Sequence, residues 1–161
     1  MAIWICRAGR KSIYVEDFLK NSKIFCTWDG FKYDLNTIVD KEELKEKIRN
    51  DIKDANSTAV NTWTAQLFAF RDGMKKGDIV LTPNKNSVSY NIGIVCGDYF
   101  FDGNAPEHFY HGRKVRWIDR IVNREDFPKH IRYSLGAYRT IFRLKYDNEF
   151  MEIMDQLKIS L

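Results

Sequence analysis

Trp28 is followed directly by Asp29-Gly30, and Trp63 stands between Asn61 and Gln66, so two large aromatic faces each have short polar side chains beside them. That combination suits a pocket for an unstacked nucleobase. The indoles replace the stacking the base has lost, and amides or a carboxylate read its edge. Trp28 closes an apolar run just before a glycine turn and is the better placed of the two for a binding surface. Trp63 also fits the stripe Val60, Leu67 and Phe70, which is a core pattern. Trp4 and Trp117 read as core packing.

Other chemistry finds less support. His108 and His111 are separated by two residues in the polar loop Asp102 to Gly112, but no cysteine or carboxylate pair with zinc-like spacing accompanies them. Glu43-Leu44-Lys45 matches the Glu-x-Lys fragment of nuclease centres, where carboxylates hold a metal and lysine assists the attacking water. Here the triplet falls on a charged helix, where a solvated face explains it. There is no Gly-x-Ser-x-Gly elbow, Walker loop or Gly-x-Gly-x-x-Gly. The chain is therefore expected to bind rather than catalyse, without metal or cofactor.

Charge agrees with a polyanionic partner. The net charge of +4 is modest, but between Arg113 and Lys145 ten bases face only Asp119, Glu125 and Asp126, which offers phosphates a surface. No apolar run reaches the roughly 18 residues a membrane span needs, and the start lacks a signal-like apolar segment. No membrane partner and a cytoplasmic location are expected. At 161 residues with 44% hydrophobic content, the chain can bury one core. Cys6, Cys26 and Cys96 lie far apart in strand-like runs and are expected as buried, reduced thiols.

The elements that must position these groups follow from periodicity and turns. Strands are expected over Ala2 to Arg7, Lys23 to Trp28, Asp78 to Thr82, Ser89 to Cys96, Asp98 to Phe101, Lys114 to Ile118 and Arg139 to Lys145. Gly77-Asp78 turns into the buried strand that Pro83 ends, and Gly93 and Gly97 let the next one bend. Helices are expected over Val15 to Asn21, from Asp40, from Ser57, at Ile131 to Leu135 and over Glu149 to Leu157. Asp40 with Glu43 makes a capping box ahead of Leu44, Ile48 and Ile52. Short strands interrupted by two mid-chain helices predict an α+β barrel.

In order and spacing, these fragments resemble the EVE branch of the PUA-like superfamily, related to YTH domains. The resemblance is carried by Trp4-Ile5-Cys6-Arg7-Ala8-Gly9, Glu16-Asp17-Phe18, Trp28-Asp29-Gly30 and Asn61-Thr62-Trp63-Thr64-Ala65-Gln66. Further on, Met74 to Leu81, Ile92-Gly93-Ile94-Val95, Gly97-Asp98-Tyr99, His111 with Arg113 to Trp117, Tyr133-Ser134-Leu135-Gly136 and Thr140-Ile141-Phe142 continue it. The chain is most similar in this respect to the N-terminal module of Mrr-type and other modification-dependent restriction endonucleases. The resemblance implies a small twisted β-barrel flanked by helices, with residues 1–146 as the EVE-like domain and 147–161 as an amphipathic helix or a linker to another domain.

It also implies a reader of modified bases that takes a nucleotide into an aromatic cage, serving restriction or phage defence. The cage carries over to Trp28 and Trp63, with Asp29, Asn61 and Gln66 as edge readers and Tyr90 and Tyr99 as walls. Arg7, Arg10, Lys11, Lys85 and Arg113 would hold phosphates. The implied partners are DNA bearing a modified base and a nuclease domain or subunit. The alternative is a PUA-like protein reading a modified nucleotide in RNA. The endonucleases continue into a catalytic domain whereas this chain closes on one helix, so cleavage is not carried over.

Overall fold

The computed structural model describes residues 1–161, and at its centre is a curled mixed sheet. The strands are β1 (Ile3–Cys6), β2 (Lys23–Cys26), β3 (Ile79–Pro83), β4 (Ser89–Val95), β5 (Phe100–Phe101), β6 (His111–Asn123) and β7 (Ile141–Leu144). They follow the order β2-β6-β4-β3-β1-β7, with β5 attached to β6. Only β1 and β3 run parallel, with Trp4 opposite Val80. The helices are α1 (Val15–Lys20), α2 (Lys41–Asp51), α3 (Ser57–Phe68), α4 (Lys129–Leu135) and α5 (Asp147–Gln156).

Helices on both faces explain why β1 and the start of β3 are unbroken apolar runs rather than alternating with polar residues. Trp4, Cys6, Val80, Val95 and Val115 point into one core beneath α1, α2 and α3, while Ile3, Ile5, Ile79, Leu81 and Ile92 point into a second beneath α4 and α5. The period-two geometry of a strand sends neighbours to opposite faces, so burying both faces demands continuous hydrophobic runs. α5 belongs to this body. Its Phe150 stacks on Phe127 with centroids 5.8 Å apart, and Ile153 and Met154 are buried beside it in the second core.

Closure is partial. β2 and β7 end the strand order without pairing, and the sheet curls until the Cys6 Sγ lies 3.8 Å from the Phe25 carbonyl oxygen. The result is a half-barrel. Gly93 permits the bend: the β4–β6 register shifts between Asn91 and Gly93, and a Cβ at Gly93 would collide with the side chains of Val115 and Trp117.

Local signals set the helix starts. Asp40 Oδ1 accepts from the Glu43 amide at 2.9 Å, while Glu43 Oε2 reaches back one residue further than a capping box requires, to the Val39 amide at 2.7 Å. Asn56 caps α3 through the Ala59 amide at 2.8 Å. α3 then widens into a π turn over Ala69–Gly73, closed by the Met74 amide donating to the Ala69 carbonyl at 2.9 Å. Asp78 locks the start of the sheet, accepting from the Ala2 amide, the Trp4 indole and the Lys75 amide at 2.8 to 2.9 Å.

Two expectations require correction. β6 spans His111–Asn123 rather than Lys114 to Ile118, and it pairs with β2 and β5 along its first part and with β4 along the rest. Cys6 and Cys26 are buried, and loss of solvation pushes the Cys26 thiol up to about 12, but Cys96 is exposed beyond the end of β4.

Candidate functional site at the open end of the half-barrel

The unpaired edge strands are joined at one end by a side-chain bridge. Trp28, just past β2, is half-buried, and its indole Nε1 donates to Thr140 Oγ1 at 3.1 Å, just before β7. The amides of Thr140 and Ile141 both donate to Gln66 Oε1 at 2.9 Å, which brings α3 to the same place. Phe31 lies 5.8 Å from Trp28, and Trp63 meets Phe31 edge-on at 6.3 Å. Trp28 thus converges with Trp63 and Gln66 of α3, which lie far from it in sequence. Gln66 itself is buried and its oxygen is occupied by two backbone amides, so it builds the site and has no oxygen left to read a base edge. Thr140 is the member that sequence reading missed, since nothing in a lone threonine before a strand marks it.

Asp29 stands at the rim, exposed, with its Oδ1 3.0 Å from His108 Nδ1. That nitrogen also lies 3.2 Å from the Thr27 carbonyl oxygen. The Thr27 carbonyl can only accept, so Nδ1 carries a proton and donates to it, with the exposed Asp29 carboxylate close by. Tyr14 lies against the imidazole at 5.2 Å and against Phe109 at 5.4 Å. Glu107 brings a second exposed carboxylate, and the ligand atoms of Asp29, Glu107 and His108 lie within 4.8 Å of one another. With Nδ1 donating, only Nε2 of this ring is free to meet a cation.

The loop after β1 is strained. Gly9, Lys11 and Ser12 have φ of 76°, 55° and 54°, a left-handed conformation that lysine and serine adopt at a cost. The Tyr14 amide donates to the Ala8 carbonyl at 3.0 Å and closes the turn, leaving Arg10 and Lys11 exposed at its tip. Lys85 is exposed too, paired with Glu16 at 2.8 Å.

Arg7 is spent internally. Its Nε donates to the Arg139 carbonyl at 2.9 Å, and one terminal nitrogen donates to the carbonyls of Leu135 and Ala137 at 3.0 and 3.2 Å. The same holds more strongly for Arg113, which is 2% exposed and donates to the carbonyls of Gly97, Phe70 and Arg71. The buried Arg113 leaves no guanidinium facing a phosphate, which corrects the sequence expectation for it, while half-buried Arg7 has its Nε and one terminal nitrogen committed to the loop before β7. Tyr90 is buried in the second core, on the opposite face of the sheet from the core that Trp28 packs against, and does not stand beside the indole. Asn61 is exposed on α3 and no hydrogen bond ties it to Trp28.

Tyr99 is a latch rather than a wall. Its hydroxyl accepts from the Leu35 amide at 3.1 Å and lies 2.8 Å from His111 Nδ1, while His111 Nε2 bonds the Phe31 carbonyl. A carbonyl can only accept, so Nε2 holds the proton, Nδ1 is the acceptor and the tyrosine donates to it. Burial holds the His111 imidazole below its ordinary value, opposed by the Phe31 bond and by Asp34, and the buried ring is neutral.

Below about pH 6.5 the unfolded chain gains a proton there that the folded chain resists, so stability is present above that pH and falls as pH drops through the folded value. The denaturation midpoint is expected to fall between pH 7 and 5. His111→Gln should be less stable at pH 7 but show a shallower decline; an equally steep one would assign the acid sensitivity elsewhere.

The chain belongs to the family described as a domain of unknown function, DUF8426, whose pattern matches residues 3–145. No curated protein matches it.

Proposed function

For this member of a family of unknown function, we propose that the chain is a PUA-like, EVE-type half-barrel that reads a modified base in DNA and serves modification-dependent restriction or phage defence. It acts as a binding module, and cleavage falls to a nuclease domain or subunit that works with it. The observation that carries this reading is the half-buried Trp28, its Nε1 donating to Thr140 across the gap between the two edge strands, with the exposed Asp29 carboxylate next to it in the chain and 3.0 Å from His108 Nδ1.

A base turned into that mouth would stack on the indole and present its edge to the carboxylate. Extrusion costs a few kcal/mol, stacking returns roughly 1–3 kcal/mol per base, and phosphate contacts supply the salt-sensitive remainder. Arg10 and Lys11 at the tip of the loop after β1, and Arg139 next to Thr140 in the chain, are exposed and are assigned that last role. Burying one extra methyl group contributes on the order of 0.8 kcal/mol, so strong discrimination also requires that an unmodified base leave a polar group unpaired.

The test is an equilibrium titration at two salt concentrations against duplexes differing in one modified base, with the corresponding RNA as comparator. Tighter binding to the modified duplex is expected. Arg10→Ala, Lys11→Ala and Arg139→Ala should each reduce the salt slope by about one while weakening modified and unmodified DNA alike. Equal, salt-sensitive binding to every duplex would reduce the site to a basic surface, and preference for RNA would favour an RNA reader.

A further inference from the structure

Tyr138 presents an aromatic ring wholly to water in the short loop Gly136 to Thr140 between α4 and β7. Folding gives no reason for it, since the ring buries nothing. The loop beneath it, however, is immobilised. The Arg7 guanidinium donates to the carbonyls of Leu135, Ala137 and Arg139, and the Arg7 amide donates to the Thr140 carbonyl at 2.9 Å. The Gly136 amide donates to the Tyr133 carbonyl at 3.1 Å, the Ala137 amide to the Ser134 carbonyl at 3.2 Å and the Arg139 amide to the Ala137 carbonyl at 2.9 Å. Thr140 is held by Gln66 and in turn holds Trp28. An exposed ring on a rigid pedestal, two residues or roughly 7 Å of chain from the residue that fixes Trp28, is preorganised for a contact outside the protein.

We infer that Tyr138 is the wedge of the reader: when a base leaves the duplex for the Trp28 mouth, this ring enters the vacated place and stacks on the neighbouring base pair. The inference rests on the base-reading proposal and adds how the duplex is opened. Aromatic or apolar side chains inserted between base steps offset the lost stacking, and a rigid ring does so with little ordering cost. Arg7 becomes a positioning residue, acting through the loop it holds.

The wedge has a signature that the cage lacks, because a single strand leaves no gap to fill. Affinities would be measured for the wild-type chain, Tyr138→Ala, Tyr138→Phe and Trp28→Ala. The probes are duplexes and matching single strands, each carrying one 5-methylcytosine, 5-hydroxymethylcytosine, 4-methylcytosine or 6-methyladenine, and their unmodified counterparts. Tyr138→Ala should lose about tenfold or more on the modified duplex and nothing on the modified single strand. Tyr138→Phe should behave as wild type, and Trp28→Ala should lose both.

If the wild-type chain prefers a modified duplex and Tyr138→Ala binds it equally well, the wedge is overturned and the reader stands. Equal losses on duplex and single strand would make Tyr138 an ordinary stacking contact and overturn the wedge. A wild-type chain indifferent to every modification, in duplex and single strand, would overturn both.

Discussion

Arg113→Ala is expected to destabilise the fold by about 3–5 kcal/mol, the range for removing one partner of a buried, charge-assisted network. The guanidinium sits at 2% exposure on β6 with no carboxylate bonded to it, and donates to Gly97 at 3.0 and 3.2 Å, to Phe70 at 2.9 Å and to Arg71 at 3.2 Å. Phe70 and Arg71 lie in the π turn that ends α3, so one side chain supplies donors to the carbonyls of that turn and of the residue after Cys96. Desolvation draws the guanidinium below its ordinary value, and nearby Asp98, Asp78 and Asp72 oppose it.

Removing the side chain leaves these carbonyls without their donor in a packed interior and opens a cavity as well. Marginal domains have only about 5–15 kcal/mol in all. Chemical denaturation of the variant should therefore show a much lower midpoint or no folded baseline. A loss below about 1 kcal/mol would mean that the guanidinium network contributes no more than an ordinary surface contact.

Trp28→Ala is expected to cost the largest share of binding while sparing the fold. Loss of one stacking face corresponds to roughly 1–3 kcal/mol, or about 5- to 150-fold in affinity. The ring is half-buried against Phe31, and its one hydrogen bond goes to Thr140, whose amide remains held by Gln66 without it. Trp28→Phe keeps an aromatic face but loses the bond to Thr140, so it should fall between wild type and alanine. A folded Trp28→Ala with unchanged affinity for modified DNA would remove the indole from the site.

Much of this arrangement was legible in the sequence because both sheet faces are buried, which leaves unbroken runs such as Ile3–Cys6 and Ile79–Leu81 bounded by glycine and proline. Asp40 and the Leu44–Ile48 spacing marked α2 for the same kind of local reason. Arg113 reads as surface charge from its residue type alone, yet it is buried. The period-two run His111, Arg113, Val115, Trp117, set against exposed Lys114 and Arg116, already put it on the inner face.

Asp119 and Arg120 likewise hid the second half of β6, which crosses from one part of the curled sheet to the other. The bridge from Trp28 through Thr140 to Gln66 joins residues 112 and 74 positions apart, and no local pattern encodes such a contact. The strain at Lys11 and Ser12 was invisible for a related reason: left-handed lysine and serine exist because the fold imposes them, and only the neighbouring Gly9 announced a turn.

The central claim is tested most directly by one ratio, the affinity for a modified duplex over that for its unmodified twin, measured side by side for the wild-type chain and Trp28→Ala. The account predicts a ratio well above one that collapses to near one in the variant while salt-sensitive binding to unmodified DNA persists. A ratio of one in the wild-type chain, or one left untouched by loss of the indole in a folded variant, would contradict it.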